Sequence, residues 1–315
     1  MTVSAYTEPF DHPALFYRDE QEYVAGTVPF VRAGLDAGEP VAVAVPPANL
    51  DLIRDELGDL ARHIRLLDMT QEGRNPGRII PRVLRAFADA HPAQRVRIIG
   101  EPIWAGRSET EYPACVQHEA LINLAFQGRE ATILCPYDTT RLEESVLTDA
   151  YATHPTVIAS GTEETSHAYA PDEIVARYNQ PLTALPEAWE TTYGAGMLAE
   201  IRHQALRRAH DLGLPADRMD DLALAVAELT TNSVKHAGGS GTLRMWSQDR
   251  YIVCEVRDAG HLDDPLAGRR PPPRGQVGGR GLLLVNVVAD LVRVHTTPEQ
   301  GTVIQCHFRC DATAA

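Results

Sequence analysis

Residues 228–239 read ELTTNSVKHAGG and close a longer run, PADRMDDLALAVAELTTNSVKHA (215–237). The run has the spacing of an amphipathic helix, yet its second half places Glu228, Asn232, Lys235 and His236 where the apolar stripe should continue. Residues four apart share a helical face. Glu228, Asn232 and His236 therefore point the same way, with Lys235 beside them. A carboxylate and an amide on an inward face need partners. Either this face is wet, or it lines a site.

Two clusters downstream favour a site: RDAGHLDD (257–264) and GQVGGRGLLLV (275–285). Gly275, Gly278, Gly279 and Gly281 lead directly into an apolar helix. A helix N-terminus with free amides holds anions, and glycine lets a phosphate approach. Arg280 adds positive charge. No GxxxxGK[ST] occurs, so this is not a P-loop. The stretch 261–276, with Pro271, Pro272 and Pro273, is predicted to be irregular and reads as a functional lid or a disordered segment. The amide oxygen of Asn232 suits a hard cation such as Mg²⁺. Asp258 ends a strand beside Gly260 as a lone acceptor at a pocket mouth.

Around these clusters lie two predicted helices (197–213 and 216–237), strands in GTLRMWSQ and YIVCEVRDA, the helix GLLLVNVVADL, and strands in VRVHTT and TVIQCHFRC. Helices on one face of an antiparallel sheet make an α+β sandwich. The first half alternates instead. Apolar strands at 40–45, 64–69, 95–101 and 131–138 are separated by helical patterns, among them 78–91, with Pro81 in its first turn, and 112–127. This predicts an α/β domain with a mainly parallel, Rossmann- or RecA-like sheet. The expected division is a domain at 1–160, a linker at 161–194 and a second domain at 195–315. Leu182, Leu185, Trp189 and Tyr193 give the linker apolar side chains, so part of it is expected to pack against a domain.

Bulk properties set limits. The length of 315 residues suits two domains. A formal net charge of −14 argues against nucleic acid as the main partner. Five cysteines without a CxxC spacing point to a reduced cytoplasm. Cys306, His307 and Cys310 fit no common zinc spacing. No apolar run approaches the roughly 20 residues of a membrane helix, and the N-terminus lacks the pattern of a signal peptide.

In order and spacing, ELTTNSVKHA, DAG, GGRGLLLV and Gly-Thr-Val at 301–303 resemble the N box and glycine boxes of the GHKL ATP-binding domain shared by gyrase, Hsp90, histidine kinases and MutL. The closest likeness is to its anti-sigma-factor serine kinase branch. The resemblance covers about 195–312 and implies a Bergerat-type sandwich binding ATP and Mg²⁺. It implies that Asn232 holds the metal and that Glu228 orients or deprotonates the attacking hydroxyl. Asp258 would accept from the adenine amino group, with Gly260 in its box and Thr302 nearby. Gly279 and Gly281 would turn amides to the phosphates, flanked by Arg280, Lys235 and His236. The first glycine box departs from DxGxG, because Leu262 stands at the second glycine.

HPALFYRDEQEYV (12–24), GEPVAVAV (38–45), RIIGEP (97–102), the helix with His118, Glu119 and Asn123, and ILCPYD (133–138) resemble the MEDS sensory domain over about 8–160. That likeness implies a pocket for a small hydrocarbon-derived ligand. Strand ends are where parallel sheets bind ligands, which makes His12, Glu101, Cys135 and Tyr137 the candidate sensing residues.

Together these readings predict a cytoplasmic, sensor-coupled kinase controlling transcription. Its expected substrate is a serine on an anti-anti-sigma (STAS-type) partner, with a sigma factor as another partner and a homodimer left open. Two alternatives stand. One is a histidine kinase, for which His154, His167 and His203 lack an H-box context. The other is a non-catalytic anti-sigma module that holds ATP as a structural ligand.

Overall fold

The computed structural model describes residues 9–270 and 279–310. The chain divides after Tyr178 into two compact units. Among the described residues, no helix is long and apolar enough to cross a membrane.

The first unit is built on eight strands: β1 (Phe10–Asp11), β2 (Pro13–Tyr17), β3 (Val41–Val45), β4 (Arg65–Asp68), β5 (Val96–Gly100), β6 (Ala131–Asp138), β7 (Thr156–Ala159) and β8 (Thr162–Thr165). Their order is β4-β3-β5-β6-β2-β7-β8, with β1 also paired to β6. Every pairing is parallel except β7 with β8. The helices of this unit are α1 (Glu20–Asp36), α2 (Pro47–Leu57), α3 (Met69–Glu72), α4 (Arg85–Ala90), α5 (Tyr112–Ala125), α6 (Glu144–Thr153) and α7 (Pro171–Arg177). All five residues of β3, VAVAV, are buried, as expected of a strand covered on both faces.

The predicted helix at 78–91 forms, but not as a regular α-helix throughout. Pro76–Arg78 is a 3₁₀ turn, Ile80–Leu84 a π turn, and only α4 is regular. Pro81 has no amide to donate and its ring crowds the carbonyl one turn back. The ladder widens around it, and Arg85 N–H reaches Ile80 O, five residues away.

The segment 161–194, read from sequence as a linker, is largely built into the two units. Residues 162–165 form β8, and α7 buries Ile174 against Val116, Ala120 and Ala152. Residues 189–194 form a strand of the second sheet. The polar, turn-rich composition of this stretch hid short edge elements whose outer faces meet solvent.

The second unit is an antiparallel sheet of β9 (Trp189–Gly194), β10 (Ser240–Gln248), β11 (Tyr251–Asp258), β12 (Leu291–Thr297) and β13 (Gly301–Arg309), in the order β12-β13-β11-β10-β9. It carries α8 (Leu198–Asp211), α9 (Met219–His236) and α10 (Gly281–Val288). Leu222, Ala225, Val226 and Leu229 of α9 are at most 2% exposed and meet Leu243, Met245, Ile252, Cys254 and Phe308 from the sheet. Full burial of each Leu or Val side chain contributes roughly 1.5–3 kcal/mol.

Candidate functional site

The inward stripe of α9 runs through Leu222, Val226, Leu229 and Ser233 to the buried Ala237 beyond its end. Glu228 and Asn232 stand on the neighbouring face and are half-buried, while Lys235 and His236 are exposed in the last turn. The sequence misplaces the polar face by part of a turn: the core stripe does continue, and its last helical position is the small hydroxyl of Ser233. Neither Glu228 nor Asn232 makes a side-chain hydrogen bond or ion pair to another described residue. Both face Gly281, the first residue of α10. A Cβ at Gly281 would lie 2.5 Å from Glu228 Oε2 and 3.4 Å from Asn232 Nδ2, so that approach requires glycine.

Gly279 has φ +76°, a left-handed conformation that side chains resist. Arg280 is exposed and occupies the N-cap of α10 without a side-chain capping bond. Among the described residues, the amides of the first turn of α10 thus have no side-chain cap, beside a carboxylate and an amide that also have no partner there. Gly275 and Gly278 lie outside the described residues.

Asp258, the last residue of β11, is held from two sides. Its Oδ1 accepts from Gly260 N–H at 2.9 Å, and its Oδ2 accepts from Ser233 Oγ at 2.6 Å. Ser233 in turn accepts from Tyr193 Oη at 2.9 Å. Behind Asp258, the Gly301 Cα comes so close that a Cβ would stand 2.1 Å from Asp258 O. Thr302 is the cross-strand neighbour of Asp258. Thr302 Oγ1 donates to Gly260 O at 2.8 Å and accepts from Thr296 Oγ1 at 2.8 Å. Thr296 Oγ1 has then used its proton, so it accepts from Leu262 N–H at 3.0 Å and from His261 Nδ1 at 2.9 Å. His261 Nδ1 therefore carries a proton. Leu262, at the position of the absent second glycine, therefore has its amide tied to β12. An open cleft of about 600 Å³ at this end of the sheet is lined by Tyr193, Gly241, Arg257 and Asp258 among others. Glu228 and Asn232 do not line it.

The described part of the predicted lid, 261–270, is irregular but anchored. Leu266 is 1% exposed, its amide bonds Asp264 Oδ1 at 3.0 Å, and Asn286 Nδ2 donates to Gly268 O at 3.1 Å. These anchors escaped the sequence reading, although Asp264-Pro265-Leu266 carries the signature of a turn followed by a buried residue.

In the first unit the four candidate sensing residues separate into two groups. Glu101, at the end of β5, is 3% exposed. Asn49 Nδ2 donates to both its oxygens at 2.8 and 3.0 Å, and the hydroxyls of Tyr17 and Tyr23 lie at 3.4 Å. Burial outweighs these donors and lifts the Glu101 carboxyl to about 8. His12 and Cys135 lie elsewhere, with Nε2 and Sγ 3.4 Å apart. Tyr137 is 2% exposed and meets His154 edge-on with ring centroids 5.5 Å apart. The sequence reading weighed His154 only as a phosphate acceptor. It is fully buried, joined to Glu119 at 3.1 Å, and so closed to that role in this fold. Asn49, Tyr17 and Tyr23 were missed as partners of Glu101, since each comes from a different element.

Residues 11–155 match the family described as MEDS, the MEthanogen/methylotroph, DcmR Sensory domain. Residues 195–307 match the histidine kinase-like ATPase domain. The serine-protein kinase RsbW of Halalkalibacterium halodurans is 30% identical over 133 residues, which cover 38% of this chain and 81% of that protein.

Proposed function

Because the chain belongs to the histidine kinase-like ATPase family, with a MEDS sensory domain ahead of the ATPase, we propose that it is a sensor-coupled protein kinase of the anti-sigma-factor type. On this reading it works in the cytoplasm, transfers phosphate from ATP to a serine of an anti-anti-sigma (STAS-type) partner, and so controls transcription. The observation that carries the proposal is the meeting of Glu228 and Asn232, both without side-chain partners among the described residues, with Gly281 at the start of α10.

Asp258 has about four acceptor positions on its carboxylate. Gly260 and Ser233 use two, and an adenine amino group takes another. The amides of α10, approached through Gly279 and Gly281, receive phosphate oxygens, with Arg280, Lys235 and His236 as nearby positive or polar groups. Asn232 supplies an amide oxygen to Mg²⁺, which neutralises phosphate charge when bound. Glu228 orients the acceptor hydroxyl and takes its proton. Phosphoryl transfer needs positioning and charge neutralisation more than covalent help, and these residues supply both. In the first unit, Glu101, Tyr137, His12 and Cys135 are proposed to respond to a small ligand.

The test is transfer of labelled γ-phosphate from Mg·ATP to a purified STAS-domain protein from the same genome. Acid-stable phosphoserine on that protein supports the proposal. Acid-labile label on the chain itself overturns it in favour of a histidine kinase, although α8, which carries His203, commits Ile201, Ala205 and Ala209 to the core. Tight ATP-dependent capture of a sigma factor with no transfer overturns it in favour of a binding module.

A further inference from the structure

His12, Glu119, Cys135 and His154 come from four separate places: the junction of β1 and β2, the middle of α5, strand β6, and the residue closing α6. Their exposures are 1%, 0%, 1% and 0%. One ligand-type atom from each lies within 4.8 Å of all the others. From these four side chains we infer that the first unit holds a divalent transition-metal ion, zinc foremost, in a closed N₂OS site.

The hydrogen bonds fix which atoms face inward. Asn123 Nδ2 donates to Thr153 O at 2.8 Å and Ala120 O at 3.2 Å, so its Oδ1 faces His12 Nδ1 at 3.2 Å. An amide oxygen only accepts, so His12 carries its proton on Nδ1. His154 Nδ1 lies 2.9 Å from Ala150 O, and the same logic puts its proton there. With that single proton on each ring, both turn Nε2 lone pairs toward Glu119 Oε2, at 3.4 and 3.1 Å. Three acceptors face one another, and the donor among the four side chains is the weak Cys135 thiol, 3.4 Å from His12 Nε2. Both Glu119 oxygens and His154 Nε2 are buried without a hydrogen bond. Among the described residues, no Arg or Lys pairs with Glu119.

A buried carboxylate confronted by two lone pairs needs a cation in the gap. The dimensions suit a metal. Bonds of about 2.0–2.3 Å to N, O and S in a tetrahedron give ligand–ligand edges of roughly 3.3–3.8 Å. His12–Glu119 and His12–Cys135 are both 3.4 Å, His154–Glu119 is 3.1 Å, and the remaining edges lie within 4.8 Å, so that loading draws the four ligands slightly inward. Charge also closes. A dication with one carboxylate, one thiolate and two neutral imidazoles sums to zero, the form a buried site tolerates. Cys135 gives up its thiol proton to solvent when the metal binds, so loading releases one proton. Asn123 and Ala150 O are the outer partners that orient metal-bound histidines. The site holds whether or not the second unit transfers phosphate.

The experiment uses full-length protein purified without chelator. Elemental analysis is expected to find about one zinc per chain. After chelation, titration with Co²⁺ alone is expected to give visible d–d bands of tetrahedral intensity and a near-ultraviolet thiolate-to-cobalt band. Both should saturate at one equivalent and be displaced by Zn²⁺. Cys135→Ser should lose the thiolate band, and Cys310→Ser should keep it. Folded wild-type protein without stoichiometric metal and without a cobalt spectrum overturns the inference, and so does a thiolate band that survives in Cys135→Ser. The wild-type measurements decide the matter even if Cys135→Ser does not fold.

Discussion

Ser233 Oγ lies 2.6 Å from Asp258 Oδ2 and ties the core stripe of α9 to the end of β11. The Tyr193 hydroxyl feeds the same relay at 2.9 Å. Asp258 is thus aimed by the protein before any ligand arrives. A hydrogen bond to a charged group contributes about 1.5–3 kcal/mol. Ser233→Ala is expected to weaken ADP binding by about tenfold, and Asp258→Asn by more, in calorimetry. Equal affinities in all three proteins would remove Asp258 from the nucleotide site.

Glu228→Gln should leave ADP affinity within about threefold while phosphoryl transfer falls by roughly 10²–10⁴-fold, the usual contribution of a positioned base. Parallel calorimetry and transfer assays separate the two effects. Transfer at the parent rate would make Glu228 a structural residue.

Two glycines should respond differently to alanine. At Gly281 the added methyl meets the movable end of Glu228, so the fold survives and transfer drops as the carboxylate swings away. At Gly301 it meets the Asp258 backbone at 2.1 Å, with φ at +78°. Gly301→Ala is expected to destabilise the second unit by about 3 kcal/mol or more, read from urea unfolding. A Gly301→Ala protein as stable as the parent would contradict this packing.

Glu101 predicts a pH dependence of the first unit. Its carboxyl rises from 4.5 to about 8 on folding, chiefly through burial. The folded state holds the proton more tightly, so this contribution is complete below about pH 4.5 and is lost as pH rises to about 8. Glu101→Gln should flatten that decline and raise the first unit's melting temperature at pH 8 relative to the parent. An identical pH profile in the variant would place the carboxyl's titration outside this window.

Asp149, 3% exposed, gathers Tyr112 Oη at 2.7 Å, Arg177 Nη1 at 2.9 Å and the Tyr178 hydroxyl. It ties the start of α5 to the end of α7. Asp149→Ala should cost about 2–4 kcal/mol and open residues 160–188 to limited proteolysis. Unchanged cleavage there would show that Ile174 alone holds α7.

Elements with a strong period were legible in the sequence: the buried VAVAV strand, the first half of the core stripe of α9, and the glycine that opens α10. Local chemistry also pointed correctly to a carboxylate at the end of β11. What escaped was set by contacts between distant residues. Ser233 reads as one more polar residue of the N box, and only the fold reveals that it sits on the apolar stripe facing Asp258. His12, Glu119, Cys135 and His154 have no metal-type spacing because parallel crossovers, not a local loop, bring them together. Pro81 does open a helical segment as its position suggested, and only the π character of that turn escaped, because it leaves almost the same apolar periodicity.

The pairing of β9 with β10 decides where the ATPase unit can be cut. Trp189 to Gly194 cover the outer edge of β10 through six register pairs, from Met245↔Trp189 to Ser240↔Gly194. Just upstream, Asn179 bonds both the amide and the carbonyl of Thr296. A fragment begun at residue 195, where the family match starts, would strip both and leave a row of unsatisfied amides and carbonyls along β10. Such an edge recruits strands from other molecules. The excised unit therefore stays monodisperse only if it begins near residue 179, and the shorter fragment is expected to form β-rich aggregates.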